Sequence, residues 1–92
     1  MWYVYILKCN DGSYYTGISA DIERRIKQHN DGKGSRYTKL RRPLVLVYAE
    51  KYQCKHDAEK REVEIKKFGV KGKERLIKYG NNSWFPSGQN RE

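Results

Sequence analysis

Two tyrosines, Tyr5 and Tyr15, sit in neighbouring strand-like segments of this chain. A phenol can hold, orient or deprotonate a water molecule when its surroundings favour the transfer; strand tyrosines are also ordinary packing residues. Arg25 and His29 stand at i, i+4 in a helical segment and so share one face. An arginine there can stabilise charge building on a phosphoryl group, and a histidine can donate to an anion or shuttle a proton. Glu62 falls between Ala58 and Ile65 on the apolar side of a second helical segment, with Glu59 and Glu64 off that face as surface charges. A carboxylate on a packed face needs a partner. Either a lysine or arginine neutralises it, or a hard cation such as Mg2+ or Mn2+ takes its oxygens and keeps several waters. Residues 32–42 interleave glycines with Lys33, Arg36, Lys39, Arg41 and Arg42, and hold Tyr37. Glycine lets a backbone approach a ligand closely, the cations suit phosphates, and a tyrosine can stack on a base.

Other chemistries have no residues to carry them. The two histidines, His29 and His56, exclude a multi-histidine metal site, and Cys9 and Cys54 form no zinc or redox spacing. The two cysteines read as reduced thiols packed near strand ends. There is no phosphate-binding P-loop, no G-x-G-x-x-G and no Ser/His/Asp set.

Three strands and three helices must position these groups. Residues 2–8 read as a strand with Trp2, Val4 and Ile6 on one face and Tyr3, Tyr5 and Leu7 on the other. Both faces are apolar or aromatic, so this strand is expected to be central. Asn10-Asp11-Gly12 signals a turn, and residues 13–18 read as the returning strand. A two-residue loop at Asp11-Gly12 would put Tyr5 and Tyr15 on opposite faces. A three-residue loop with Gly12 left-handed pairs Cys9 with Ser13 and puts them on the same face. Both loop types are common, so the residues alone leave the choice open.

A helix capped by Ser19 or Asp21 runs to about Asn30 and stops at Gly32, with Ile22 and Ile26 as its apolar stripe. Residues 31–43 read as a loop and 44–50 as a buried third strand. Residues 56–68 form the next helix, capped by Asp57, with Ala58, Arg61, Glu62, Ile65 and Phe68 sharing a face. Gly69 and Gly72 bound a break before a short helix at 73–79, whose Leu76 and Ile77 face inward. The expected fold is α+β: a small three-stranded antiparallel sheet flanked by helices, in the order β-β-α-β-α-α. One domain spans 1–80, and 81–92 read as a loose tail whose Trp84 and Phe85 fold back.

The charge balance names the partner class. Twenty Lys and Arg against eleven Asp and Glu give a net charge of +9 in 92 residues. Such a field attracts polyanions, nucleic acid first and anionic membrane second. Eight tyrosines and 13% aromatic residues argue for a folded core despite a mean hydropathy of -1.03. No apolar run reaches the roughly 20 residues that span a bilayer, and the N-terminus lacks the basic start of a secretory signal. The expected compartment is the cytoplasm.

Taken together, these residues resemble the GIY-YIG nuclease superfamily, in its compact single-domain bacterial branch. Tyr3-Val4-Tyr5 is similar to its first motif and Tyr15-Thr16-Gly17 to its second. The spacing from Gly17 through Arg25 to His29, the run Gly32-x-Gly34-x-x-Tyr37-Thr38, and the run from Ala58 through Arg61-Glu62 to Ile65-Lys66 all fit the pattern. The match covers about residues 2–78; each motif is weak alone, and their joint order and spacing are specific. The first motif here lacks its glycine and isoleucine, and Ile18-Ser19 stand where excision-repair members often carry a lysine.

The resemblance implies an endonuclease that cleaves phosphodiester bonds by one-metal hydrolysis, with in-line attack of a water. Glu62 would bind the divalent metal, Arg25 would stabilise the scissile phosphate, Tyr5 and Tyr15 would position or activate the water, and His29 would assist. The family site needs both tyrosines on one face, so the resemblance selects the three-residue hairpin loop. DNA stands ahead of RNA as the substrate. A lone domain is expected to bind weakly and with little sequence specificity, which leaves room for a targeting protein. The alternative is a non-catalytic module that binds DNA or RNA. A membrane-surface role lacks a long amphipathic segment.

Overall fold

The structure is a computed structural model that describes residues 1–80, so the expectations for the 81–92 segment, with Trp84 and Phe85, lie outside the described residues. The elements are β1 (Trp2–Lys8), β2 (Tyr14–Ser19), α1 (Ile22–Asn30), α2 (Arg36–Lys39), β3 (Val45–Tyr52), α3 (Lys55–Lys66) and α4 (Gly69–Tyr79). The expected antiparallel sheet is present in the order β2-β1-β3, with β1 in the centre. One turn of helix, α2, is added inside the segment read as a loop. Its cap is local: Ser35 Oγ accepts from the Thr38 amide and Thr38 Oγ1 from the Ser35 amide.

The hairpin takes the three-residue loop. Cys9 N donates to Ser13 O at 2.8 Å, and Gly12 has φ +86°, the left-handed conformation that glycine adopts without strain. Tyr5 therefore pairs with Gly17 and Leu7 with Tyr15, so both tyrosines project from the same face.

Each face of the sheet has its own core. Tyr5, Leu7, Cys9, Leu44 and Ala49 pack with Ile22 of α1. Val4, Ile6 and Tyr48 pack with Ala58 and Ile65 of α3, and Leu76 and Ile77 of α4 close over them. Asp21 caps α1 by accepting from the Arg24 amide. Asn30, its last residue, fixes the other end: Nδ2 donates to Leu44 O at 3.0 Å and Oδ1 accepts from Leu44 N at 2.8 Å.

Four expectations are corrected. Helix α3 begins at Lys55, not at an Asp57 cap; Asp57 lies in the first turn, where its charge meets the positive end of the helix. Phe68 is 41% exposed rather than buried: it lies beyond the end of α3 at Lys66, with its ring under the Arg61 guanidinium at 5.6 Å. Gly72 does not break the chain. It lies inside α4, where a Cβ would come within 2.7 Å of Phe68 Cβ, so glycine permits a close approach there. Of the two thiols, Cys9 is buried and Cys54 is exposed.

Candidate active site

His29 is fully buried between two hydroxyls. Its Nε2 lies 2.9 Å from Tyr5 Oη and its Nδ1 2.8 Å from Thr38 Oγ1. Thr38 decides the direction of both bonds. Its hydroxyl donates to Ser35 O at 3.1 Å, so the same oxygen accepts from His29 Nδ1–H. Nε2 is then the bare nitrogen, and Tyr5 O–H donates to it. The result is an ordered path, Tyr5 to His29 to Thr38 to Ser35, with the basic nitrogen aimed at the phenol.

Electrostatics keep this path neutral at rest. Burial, and then the Arg25 charge, depress the His29 pKa from 6.5 to about 4. Burial pushes the Tyr5 phenol up to about 12, against the pull of a hydrogen bond to Arg25. The neighbouring Tyr15 phenol adds to the rise, and the Glu62 carboxylate raises it further by its charge. Arg25 is half-buried and also donates to Gln28 Oε1 at 3.0 Å. Tyr15 stands with its ring centroid 6.5 Å from that of Tyr5 and 5.1 Å from that of His29, edge-on to the imidazole. Helix α1 and the β1–β2 hairpin thus bring Tyr5, Tyr15, Arg25 and His29 together, and Glu62 comes within electrostatic reach from α3.

Two glycines make room for this arrangement. A Cβ on Gly17 would lie 2.6 Å from Tyr5 Oη and 3.1 Å from a Tyr15 ring carbon, and a Cβ on Gly34 would overlap the His29 ring. Glu62 is held by Lys66, whose Nζ lies 3.3 Å from Oε2, and its side chain is 20% exposed. Among the described residues no three His, Cys, Asp or Glu side chains gather to hold a metal. A lone, partly exposed carboxylate suits a hydrated hard cation that keeps most of its waters, and does not suit a metal that demands several protein ligands.

The GIY-YIG catalytic domain model matches residues 1–75. The chain belongs to the GIY-YIG family. A UPF0213 protein of Staphylococcus saprophyticus is 55% identical over 78 residues, covering 85% of this chain and 95% of its own. A UPF0213 protein of Staphylococcus aureus is 54% identical over 76 residues, covering 83% and 93%. The solution NMR structure of a UPF0213 protein from Bacillus halodurans is 46% identical with a TM-score of 0.55, covering 85% of this chain and 84% of that one. A second NMR structure, from E. faecalis, is 40% identical with a TM-score of 0.57, covering 83% and 81%. GIY-YIG is a nuclease family, so nucleic acid is the substrate class of the fold. No helix among the described residues is long and apolar enough to cross a membrane.

The basic segment of this GIY-YIG domain divides in two. Arg41 is bound to its own chain: Nε to Asp11 at 3.0 Å, NH1 to Tyr37 O, and the guanidinium 3.7 Å above the Tyr37 ring. Tyr37 lies against Tyr15 on a stacked ring and donates to Ser13 Oγ, so one face and the hydroxyl are already engaged. Arg42 donates to Lys39 O and Asn30 O, closing two helix ends. Lys33, Arg36 and Lys39 are exposed. Nothing in the sequence marks Thr38 as a partner of His29. A hydroxyl nine residues past His29 carries no local periodicity, and only the α2 turn puts it on Nδ1.

Proposed function

We propose that this protein is a metal-dependent endonuclease that hydrolyses phosphodiester bonds of nucleic acid, DNA ahead of RNA. The observation that carries the reading is the ordered path Tyr5 Oη–His29 Nε2, with His29 Nδ1 fixed by Thr38. A water bound against Tyr5 Oη can pass its proton to the phenol oxygen as the phenolic proton moves to Nε2. Tyr5 never has to become a free phenolate, which its raised pKa would oppose. The scissile phosphate sits against Arg25, whose charge meets the charge that grows in the transition state. The same contact strengthens the base. A phosphate beside Arg25 offsets the positive charge that helps depress His29, so substrate binding moves the imidazole toward proton acceptance. Tyr15 orients the water from the side of the hairpin. Glu62 would hold Mg2+ or Mn2+, which supplies charge neutralisation at the phosphate when bound.

The test is nicking of supercoiled plasmid with Mg2+ or Mn2+, beside Glu62→Ala and an EDTA control. Nicking that vanishes in both controls is expected. If plasmid, structured DNA and RNA all stay intact, while oligonucleotide affinity follows only the exposed lysines and arginines, the domain is a non-catalytic binding module and the proposal fails.

A further inference from the structure

Beside the catalytic face a second cleft, of about 270 Å3, opens along the outer edge of β2, lined by Tyr14, Tyr15, Thr16, Tyr37, Lys66 and Lys73. Two observations there are unexplained by folding. Thr16 is 2% exposed, and its Oγ1 has no hydrogen-bond partner among the described residues. An orphaned buried hydroxyl costs stability, so a valine would serve the fold better. Lys73 is half-buried, and among the described residues no carboxylate lies within ion-pair distance of it.

We propose that this cleft binds a phosphate group, that of a nucleotide flanking the cleaved bond, through the Lys66 and Lys73 ammonium groups and the Thr16 hydroxyl. Lys73 is half-buried beside the exposed Lys66, and burial followed by the Lys66 charge lowers the Lys73 pKa. An anion relieves both penalties. Glu62 neutralises Lys66 at 3.3 Å, but among the described residues no carboxylate reaches Lys73, and Glu74 accepts from Tyr14 Oη at 3.4 Å. Tyr15 lines the cleft and also touches His29, so a strand held here runs on into the catalytic face. The assignment of a nucleic-acid strand rests on the nuclease reading; the anion site itself rests on Thr16 and the lysines.

The experiment is carried out without divalent metal, so it does not depend on cleavage. Inorganic phosphate, and separately a short oligothymidylate, are titrated into the 15N-labelled full chain. Both are expected to shift the Thr16 and Lys73 amides. Lys73→Met is expected to weaken the oligonucleotide roughly fivefold and to lower its salt slope by roughly 0.7, the value of one single-strand phosphate contact. Lys73→Arg should restore most of the affinity, and Lys51→Met, on the opposite edge strand, should change neither. Thr16→Val should weaken binding while melting no lower than wild type, which a purely structural hydroxyl would not do. Phosphate shifts without oligonucleotide shifts would overturn the flanking-strand assignment in favour of a free-phosphate site. No shift at Thr16 or Lys73 with either probe, or an unchanged salt slope in Lys73→Met, would overturn the site. Nicking that persists alongside that failure leaves the nuclease reading standing; binding without nicking does the reverse.

Discussion

On one face of the sheet Glu50 accepts from Tyr48, from Tyr52 at 2.7 Å and from the Arg61 guanidinium at 2.9 and 3.1 Å; on the other, Tyr5 donates to His29 and His29 to Thr38. Both networks are buried, polar and built on β-strand tyrosines. In the first, burial pulls the carboxyl up, but Arg61 and the two phenols outweigh it, and Glu50 stays ionised below its usual range. Every strong donor is matched to a full opposite charge, so no proton has anywhere to go. In the second no group is charged, the one cation beside it is Arg25, and the bare Nε2 faces a proton. Saturation with charge makes a buried network a fastener. Neutrality with one basic nitrogen facing a phenol is what the proposed proton transfer requires.

The contrast is tested hardest by removing His29. His29→Ala is expected to lower the nicking rate by about 10²- to 10⁴-fold, the range for loss of a general base, with the fold retained by circular dichroism. Arg61→Met should do the reverse. It leaves Glu50 buried without its counter-charge and is expected to cost on the order of 3 kcal/mol in urea unfolding, while nicking per folded molecule is unchanged. Equal activity losses from the two would end the distinction.

Acid separates the networks by pH window. The folded pKa of His29 lies below its ordinary 6.5, so between 6.5 and about 4 the unfolded chain binds more protons and stability falls as pH drops. The loss should be on the order of 3 kcal/mol. The Glu50 contribution is present above the ordinary carboxylate value and is lost only as pH falls through its lower folded value. His29→Gln should therefore flatten the first window and leave the second, as read from denaturant midpoints at stepped pH. Gly17→Ala should push Tyr5 Oη off its bond to Nε2 and cut nicking roughly tenfold, by the cost of a misplaced reacting group. Thr38→Val removes the hydroxyl's bonds to His29 Nδ1, Ser35 N and Ser35 O and is expected to cost about 2–3 kcal/mol of stability, while Thr38→Ser, which keeps them, should show the smallest effect and stay close to wild type.

Much of this was legible in the residues. The central β1 follows from an apolar pattern on both faces, and Arg25 and His29 meet the tyrosines because helical spacing and hairpin register are local rules. The three-residue loop was not legible from Asn10-Asp11-Gly12, since both turns suit those residues; the family's need for Tyr5 and Tyr15 on one face chose it. What escaped were contacts between distant segments. Thr38 reaches His29 only through an unforeseen turn. Glu50 looked like the end of a strand, but β3 runs on to Tyr52 and buries it against Arg61. The exposure of Phe68 follows from α3 ending at Lys66, and Gly72 belongs to α4, where its close approach to Phe68 needs the missing Cβ.

The strand order carries a consequence for how the chain is made. β1 precedes β2 and β3 in the chain and is the middle strand of the finished sheet. Its hairpin with β2 and the following α1 and α2 already contain Tyr5, Tyr15, Arg25, His29 and Thr38, all of them ahead of β3 in the chain. The far edge of β1 stays unpaired, with Val4, Ile6 and Leu7 behind it, until Val45–Tyr52 emerges. During that interval the chain presents an apolar strand edge, the kind of surface on which neighbouring chains add. Glu62 arrives after β3. Chain order thus places Glu62, the carboxylate proposed to hold the metal, after the last strand of the sheet.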